Sequence, residues 1–258
     1  IQISEYDITS TPNDFNVSTL YNFVESGAVR IPGFQRNFVW DLARASKLIE
    51  SLILGLPVPQ LFLYEQSRNR FLVIDGQQRL TTVTLLIEAL ARSLGDSEPL
   101  DGFSAKKLRS YYLLNPLEDG ERKYKLVLSQ TDKASLMALI DQHPKPTERS
   151  IRVEANFEFF KDRVAEFKDN PETICKGLAK LVIVDISLIR DQDNPQLIFE
   201  SLNSTGRELS QADLIRNFVL MGLDRQLQTK LYEQYWRPME VDFGQEAYAT
   251  HFDSFMRH

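Results

Sequence analysis

The segment from Phe71 to Gly95 constrains the fold more than any other part of the sequence. It begins with Phe71-Leu72-Val73-Ile74, an apolar and β-branched run that is typical of a buried strand, and it passes through Asp75-Gly76. The apolar residues that follow recur at helical spacing and predict a helix that ends at Gly95: Leu80, Val83, Ile87, Leu90 and Leu94. This strand and helix belong to a region of mixed strands and helices that is followed by a mainly helical one, a pattern that predicts an α+β chain.

Polar residues surround this predicted turn. Asp75 stands at the end of the strand, and Gln77, Gln78 and Arg79 open the helix. The unpaired N–H groups and the dipole of a helix N-terminus favour a bound anion such as phosphate, and Arg79 adds a planar, permanently charged fork. We therefore predict a phosphate site in which Asp75 holds Mg²⁺ or a water molecule. The structural alternative is a capped helix with solvated polar residues.

Two further segments carry similar residues. In Ile31 to Trp40 (IPGFQRNFVW, the first box), Gln35 and Arg36 stand between aromatic residues. Residues 199–217 (FESLNSTGRELSQADLIRN, the third box) carry Asn203 in a predicted loop, followed by Asn217 on a predicted helix. The structural alternative for the third box is an N-cap at Ser210 followed by a solvated Arg216.

The remaining pattern divides the chain into two regions. Residues 1–95 mix strands with helices: a helix near 18–25, a helix capped by Asp41, and a hairpin of strands 61–64 and 71–74. Residues 96–258 are mainly helical, with helices predicted over 104–112, 131–141, 147–168, 194–202 and 210–222. One strand, at about 180–189, is predicted to return to the sheet of the first region.

Composition narrows the class of protein. The net charge of −6 argues against a broad DNA-binding surface, although a local basic cleft remains compatible with it. The single cysteine, Cys175, excludes an internal disulfide bond and predicts a small buried residue. We find neither an apolar run long enough to span a membrane nor a signal peptide, and we expect a cytoplasmic protein.

Together, the segments resemble one family, the N-terminal domain of GmrSD-type restriction endonucleases. The resemblance rests on four stretches in matching order, namely IPGFQRNFVW (31–40), SLILGLPVPQLFL (51–63), VIDGQQRLTT (73–82) and the third box. The hallmark of the family is a DGQQR box, here residues 75–79 (the second box), in a ParB/sulfiredoxin-like fold. The resemblance implies a small mixed sheet with helices over residues 1–95, followed by the mainly helical region.

By resemblance, such domains bind a nucleoside triphosphate with Mg²⁺, and some hydrolyse it, as part of anti-phage restriction of modified DNA. The implied catalytic residues are Asp75, Gln77, Gln78 and Arg79, with Asp75 as the metal ligand. The implied nucleotide-binding residues are Gln35, Arg36, Asp75, Gly76, Gln77, Gln78, Arg79, Thr81, Asn203 and Asn217.

A nuclease domain is expected to be missing from this chain. In full-length members a C-terminal, histidine-containing domain cuts the DNA, whereas His143, His251 and His258 stand in no such motif. The expected partners are therefore a nucleoside triphosphate, a C-terminal or separate nuclease domain and modified DNA. The sequence leaves open the preferred base, the DNA modification and the oligomeric state.

Two alternatives stay open at this point. In the first, the ParB-like domain is itself a metal-dependent nuclease; Glu121-Arg122-Lys123 offers part of such a motif, but the nearby Asp119 is predicted in a turn rather than on a partnering strand. In the second, the domain is a non-catalytic sensor of a nucleotide or a modified base. No Walker A loop, zinc motif or G-x-S-x-G elbow is present.

Overall fold

The computed structural model describes residues 13–16, 29–30, 38, 40–54, 61–67, 70–128, 130–180, 182–188, 212, 215–216, 219–220, 223 and 225–256. Four predicted site residues, Gln35, Arg36, Asn203 and Asn217, lie outside these ranges, as do the helices predicted near 18–25 and 194–202. Within the described ranges, no helix has both the length and the apolar character needed to cross a membrane.

The strands form one mixed sheet in the order β1-β6-β3-β4-β2-β5. They are β1 (Asn13–Asn16), β2 (Val29–Arg30), β3 (Leu61–Ser67), β4 (Arg70–Asp75), β5 (Leu126–Val127) and β6 (Val182–Leu188). The pairs β1–β6 and β3–β4 are antiparallel, and the other neighbours are parallel. The strand predicted at about 180–189 is β6, and it lies between β1 and β3. The likeness to ParB and sulfiredoxin stays a prediction.

One edge of this sheet collects the segments singled out in the sequence. Because β2, β4 and β5 are parallel, their carboxyl ends point to the same edge. The first box follows β2, the second box begins at the last residue of β4, and the helix that starts at Gln130 follows β5. The sheet therefore brings these three strand ends to one side.

The predicted hairpin and helix cap are both confirmed. β3 and β4 pair as a hairpin that closes at Ser67 and Arg70, and its strands are longer than the apolar runs that predicted them. Helix α1 (Leu42–Leu54) begins after Asp41, whose Oδ1 accepts a hydrogen bond from the Arg44 N–H at 3.0 Å. Such a cap satisfies one of the unpaired amides of the first turn.

The spacing of the apolar residues predicted a helix that is buried on one face. Helix α2 (Gln77–Leu94) is instead buried on all sides. Every residue from Gln77 to Ala91 is buried. The hydroxyls of Thr81, Thr82 and Thr84 each donate to the carbonyl oxygen four residues earlier, at 2.7 to 2.9 Å. Since these hydroxyls are satisfied within the helix, the three threonines can be buried without unpaired hydroxyl groups.

The fully buried Glu88 of α2 is neutralised by two arginines. Its carboxylate accepts from Arg92 Nε at 2.8 Å and from Arg109 Nη1 at 2.6 Å. Both guanidinium groups also donate to main-chain carbonyls, Arg92 to Leu139 and Arg109 to Ile140. This network fixes the middle of α2 against the end of a neighbouring helix.

Helices from the middle of the chain pack against α1, α2 and one another. They are α3 (Ala105–Leu108), which continues as a π-helix over Arg109–Leu113, α4 (Gln130–Ile140), α5 (Ile151–Glu166) and α6 (Glu172–Ala179). The helix predicted over 147–168 begins only at Ile151, because Ser150 caps it: Ser150 Oγ accepts from the Val153 N–H at 3.3 Å.

Helix α6 lies against α1 at very short range. A Cβ atom built on Gly177 would stand 2.5 Å from the carbonyl oxygen of Leu52. Only a residue without a side chain permits this approach of one backbone to another. Cys175, on the same helix, is fully buried, which confirms the prediction of a small buried residue.

The C-terminal helices form a second apolar cluster. α7 (Arg225–Leu231), a π-helix over Tyr232–Trp236 and α8 (Arg237–Met256) follow one another, and α8 is kinked at Gly244, where φ is 71°. The buried members of this cluster are Ala212, Leu220, Tyr232, Trp236, Tyr248 and Phe252. An ion pair between Arg152 and Glu246, at 3.2 Å, connects α5 with α8.

Candidate functional site

The junction between β4 and α2 has the geometry that the sequence predicted. The strand ends at Asp75, Gly76 adopts a left-handed conformation with φ 91° and ψ 8°, and α2 begins at Gln77. The Leu80 N–H donates to the Gly76 carbonyl at 2.9 Å. No side chain caps the helix at Gly76, and its first turn carries no acidic residue. The cap position therefore supplies no side-chain acceptor to this turn, and the start of a helix is a place where an anion can bind.

Gln77 is the most informative residue of the site. Its side chain is 4% exposed, and within the described part of the chain neither Oε1 nor Nε2 has a hydrogen-bond partner. A buried, unsatisfied polar group costs about 1 to 3 kcal/mol, so proteins rarely retain one without a use. The carboxamide can serve a ligand both as donor and as acceptor.

Arg79 is also buried, at 5% exposure. It lies in the first turn of α2, where the helix dipole is positive, and that turn carries no acidic residue of its own. A guanidinium at this place suits the binding of a phosphate group. Thr81, a predicted nucleotide-binding residue, is buried, and its hydroxyl donates to the Gln77 carbonyl at 2.8 Å.

Gln78 joins the second box to the first. Its Oε1 accepts a hydrogen bond from the backbone N–H of Trp40 at 3.2 Å, and its side chain is 4% exposed. The structure thus brings the end of the first box against the start of α2. It also gives the Gln78 oxygen a protein donor, a role that the sequence did not suggest.

Two residues from the middle of the chain complete this contact. Asp132, in the first turn of α4, accepts from the backbone N–H of Phe38 through Oδ2 at 2.5 Å. Asn156, on α5, donates from Nδ2 to the carbonyl oxygen of Trp40 at 2.9 Å. Neither residue was predicted from the sequence. The available signal was Asn156, a polar residue at helical spacing from the apolar Val153 and Phe160, both of which are buried.

The environment of Asp132 alters its ionisation. Burial raises the pKa of Asp132 from its ordinary 3.8 to about 6, even though hydrogen bonds from Ser150 and from the Phe38 N–H act to lower it. The carboxylate of Glu240 on α8 adds a smaller effect that raises the pKa further. The carboxylate that holds the first box is therefore a group that titrates close to neutral pH.

The structure corrects the structural reading of Arg216 in the third box. Rather than being solvated, Arg216 is fully buried, with Nη1 3.1 Å from Glu240 Oε1 and 2.8 Å from the hydroxyl of Tyr248. Its guanidinium carbon also lies 5.8 Å from the ring centroid of Trp236. A buried charge needs such partners, and Arg216 finds them on the C-terminal helices.

The nuclease-like triad of residues 121–123 does not form a strand. These residues form a 3-10 helix over Gly120–Lys123, in which Glu121 pairs with Lys133 at 2.9 Å and Lys123 pairs with Asp141 at 2.7 Å. Among the described residues, no group of three or more His, Cys, Asp or Glu side chains is arranged to hold a metal ion.

Comparison with known proteins identifies the family of this chain. An uncharacterized protein of Methanocaldococcus jannaschii is 23% identical over 244 residues, a match that covers 78% of this chain and 40% of the relative. The chain thus spans less than half the length of this curated relative. A family model described as the GmrSD restriction endonuclease N-terminal domain matches residues 17–220, which include all three boxes. The chain therefore belongs to the family of GmrSD restriction endonuclease N-terminal domains.

Proposed function

We propose that this domain binds a nucleoside triphosphate at the start of α2, hydrolyses it, and thereby regulates restriction of modified DNA. The observation that carries the proposal is the buried carboxamide of Gln77, which has no partner among the described residues. It lies in a helix turn that has no side-chain cap and that carries the buried Arg79. A triphosphate carries negative charge and acceptor oxygens, which suit a helix N-terminus and the donor group of Gln77.

Each residue of the second box has a proposed part in this chemistry. The first-turn amides and Arg79 stabilise the charge that spreads over the phosphoryl oxygens as the phosphoanhydride bond breaks. Gln77 hydrogen-bonds the nucleotide or orients the attacking water. Gln78 orients the backbone at Trp40 instead, because its oxygen is already engaged there.

We propose that Mg²⁺ accompanies the triphosphate at this turn. Asp75 ends β4 directly before the turn, and Gln77 contributes an amide oxygen without a partner in the described part of the chain. Carboxylate, amide and phosphate oxygens are the ligands that Mg²⁺ prefers, and the ion would offset the charge of the triphosphate. We propose Asp75 as its protein ligand.

The restriction role is proposed for the full-length protein. Family membership supports it, and the partners that follow are modified DNA and a nuclease domain. In this scheme the described domain reports the nucleotide state to that nuclease, and cutting belongs to the partner domain.

Isothermal titration tests the nucleotide site. We expect wild-type protein to bind at least one of ATP, GTP, CTP and UTP in the presence of Mg²⁺. Gln77→Leu and Arg79→Lys should weaken binding about tenfold or more, because each removes hydrogen bonds to the ligand. Gln234→Leu, the same change at an exposed glutamine on the π-helix over Tyr232–Trp236, serves as the matched control and should bind as wild type. Absence of binding by the wild type would refute the proposal.

Phosphate release then separates hydrolysis from sensing. Asp75→Asn should impair phosphate release more than binding, since an amide keeps the shape but is a weaker Mg²⁺ ligand. Binding without phosphate release would support the sensor alternative. Metal-dependent cleavage of modified phage DNA by this chain, lost in Asp75→Asn, would support the alternative in which the domain is itself a nuclease.

A further inference from the structure

The backbone from Phe38 to Trp40 is held by side chains from three different helices. The Phe38 N–H donates to Asp132 on α4, and the Trp40 N–H donates to Gln78 on α2. The Trp40 carbonyl accepts from Asn156 on α5. This short piece of backbone thus has a buried polar partner at each of these three groups.

The side chains that do this are among the most enclosed polar groups of the protein. Asn156 is fully buried, and Asp132 and Gln78 are each 4% exposed. Burying polar side chains costs free energy unless every atom is paired, and an apolar core needs none of them. Asn156 Oδ1 has no partner among the described residues, which adds to that cost. All three side chains hydrogen-bond to the backbone of Phe38 or Trp40, at the end of the first box.

We infer that Asp132 and Asn156 are positioning residues for the nucleotide site: with Gln78, they fix the backbone at Phe38 and Trp40 against the start of α2, where Gln77 and Arg79 lie. The inference rests on the proposed function, because it assigns these residues to the same site. It gives a role to the middle region of the chain, whose sequence suggested none. Neither residue needs to touch the nucleotide.

Asp132 is the residue on which this inference is best tested. Its carboxylate faces the Phe38 N–H, the hydroxyl of Ser150 and, at longer range, the carboxylate of Glu240 on α8. An ionised carboxylate makes a hydrogen bond roughly twice as strong as a neutral acceptor makes. When Asp132 takes up a proton as the pH falls through about 6, its hold on Phe38 weakens. Nucleotide affinity should weaken with it.

The experiment compares Asp132→Asn, Asp132→Leu and wild type. Asparagine keeps an acceptor oxygen in the same place, whereas leucine removes it. Asp162→Asn, the same change at an exposed position on α5, is the matched control. Amide hydrogen exchange of Phe38 and Trp40, measured without ligand, shows how well the hydrogen bonds of these two N–H groups are maintained. Titration with ATP, GTP, CTP and UTP between about pH 5 and about pH 8 brackets the pKa of Asp132 and reports the effect on binding.

We expect Asp132→Leu to lose about tenfold in exchange protection at Phe38 and about tenfold in affinity. Wild type should bind about threefold tighter than Asp132→Asn near pH 7.5, and this ratio should approach one near pH 5. The ionisation of the nucleotide itself cancels in the ratio. A merely structural carboxylate would leave the ratio constant with pH.

Two failures can be told apart. If folded Asp132→Leu binds nucleotide as wild type does, or if the ratio between wild type and Asp132→Asn does not change with pH, this inference is overturned and the proposed function stands. If wild type binds none of the nucleotides, the proposed function is refuted, and the inference that depends on it is refuted as well. Because asparagine is nearly isosteric with aspartate, the pH comparison holds even if the leucine variant does not fold.

Discussion

The start of α2 and the cluster around Arg216 both bury polar side chains, but they differ in how those side chains are satisfied. In the Arg216 cluster, both oxygens of Glu240 have donors: Arg216 and Tyr248 reach Oε1, and Tyr232 donates to Oε2 at 2.7 Å. At the start of α2, neither polar atom of the Gln77 side chain has a partner among the described residues.

This difference separates two uses of buried polarity. A buried carboxylate such as Glu240, which has donors on both oxygens, contributes to a unique fold, and removing its cation leaves a charge without compensation. A buried group that lacks partners lowers stability in the free protein and is retained where a ligand completes it. On this basis, Arg216 belongs to the architecture although it lies in the third box, whereas Gln77 has the character expected of the binding site that we propose. The comparison predicts opposite outcomes for substitutions in the two places.

The largest effect is expected in the Arg216 cluster. Arg216→Met should lower the free energy of unfolding by about 3 to 5 kcal/mol, because it leaves Glu240 buried without its cation. Adding Glu240→Leu should recover much of the loss, since the double variant buries no charge. Urea unfolding followed by circular dichroism measures both. An Arg216→Met protein as stable as wild type would show that the network is not structural, and the comparison would fail.

The next effect is a pH dependence due to Asp132. Its pKa is about 6 in the folded protein and lies near 3.8 in an exposed aspartate, so between these values the folded state holds a proton that the unfolded state has released. The unfolding free energy therefore falls as pH rises through this window, by about 2 to 3 kcal/mol at most, and is constant above it.

Urea titrations at several pH values check the sign of this effect. Asp132→Asn cannot titrate, so its stability relative to wild type should increase from about pH 4 to about pH 7. Asp162→Asn should show no such trend. If the difference in unfolding free energy between wild type and Asp132→Asn stays constant over this range, Asp132 does not have a raised pKa.

A smaller effect is expected at Gln78. Gln78→Leu removes the acceptor of the Trp40 N–H and leaves that buried amide unpaired, at a cost of about 1 to 3 kcal/mol. The melting temperature should fall, and exchange protection at the Trp40 amide should decrease. Unchanged protection at Trp40 would place Gln78 with Gln77, among residues that serve the ligand alone.

The smallest effect, of opposite sign, is expected at Gln77. Gln77→Leu removes two buried polar atoms that have no partner in the described structure, so the free protein should be unchanged or about 0.5 to 1 kcal/mol more stable. Nucleotide should then stabilise wild type but not the variant. A clear loss of stability in the variant without ligand would contradict the contrast between Gln77 and the Arg216 cluster.

Local features of this fold could be predicted from the sequence, because they depend on residues close together in the chain. The cap at Asp41, the hairpin of β3 and β4, and the glycine turn before α2 each follow from a few neighbouring residues. The burial of Cys175 follows in the same way from its residue type.

Features that depend on distant pairs could not be predicted. Asp132 is 94 residues from Phe38 and Asn156 is 116 residues from Trp40, and no local pattern announces such partners. An arginine on a predicted helix is expected to be solvated. Arg216 can be buried because it pairs with Glu240, 24 residues later in the chain. The burial of α2 on all sides was hidden for a related reason, since its threonines read as polar although each hydroxyl is satisfied inside the helix.

The close approach at Gly177 has a mechanical consequence. Where side chains separate two helices, rotamer changes can absorb a small shift of one against the other, but a backbone in direct contact with another backbone has no such compliance. Helix α1 begins just after Trp40, and α6 leads within a few residues into β6, which lies inside the sheet between β1 and β3. A displacement at the end of the first box would therefore pass through α1 and α6 to the far half of the sheet with little damping.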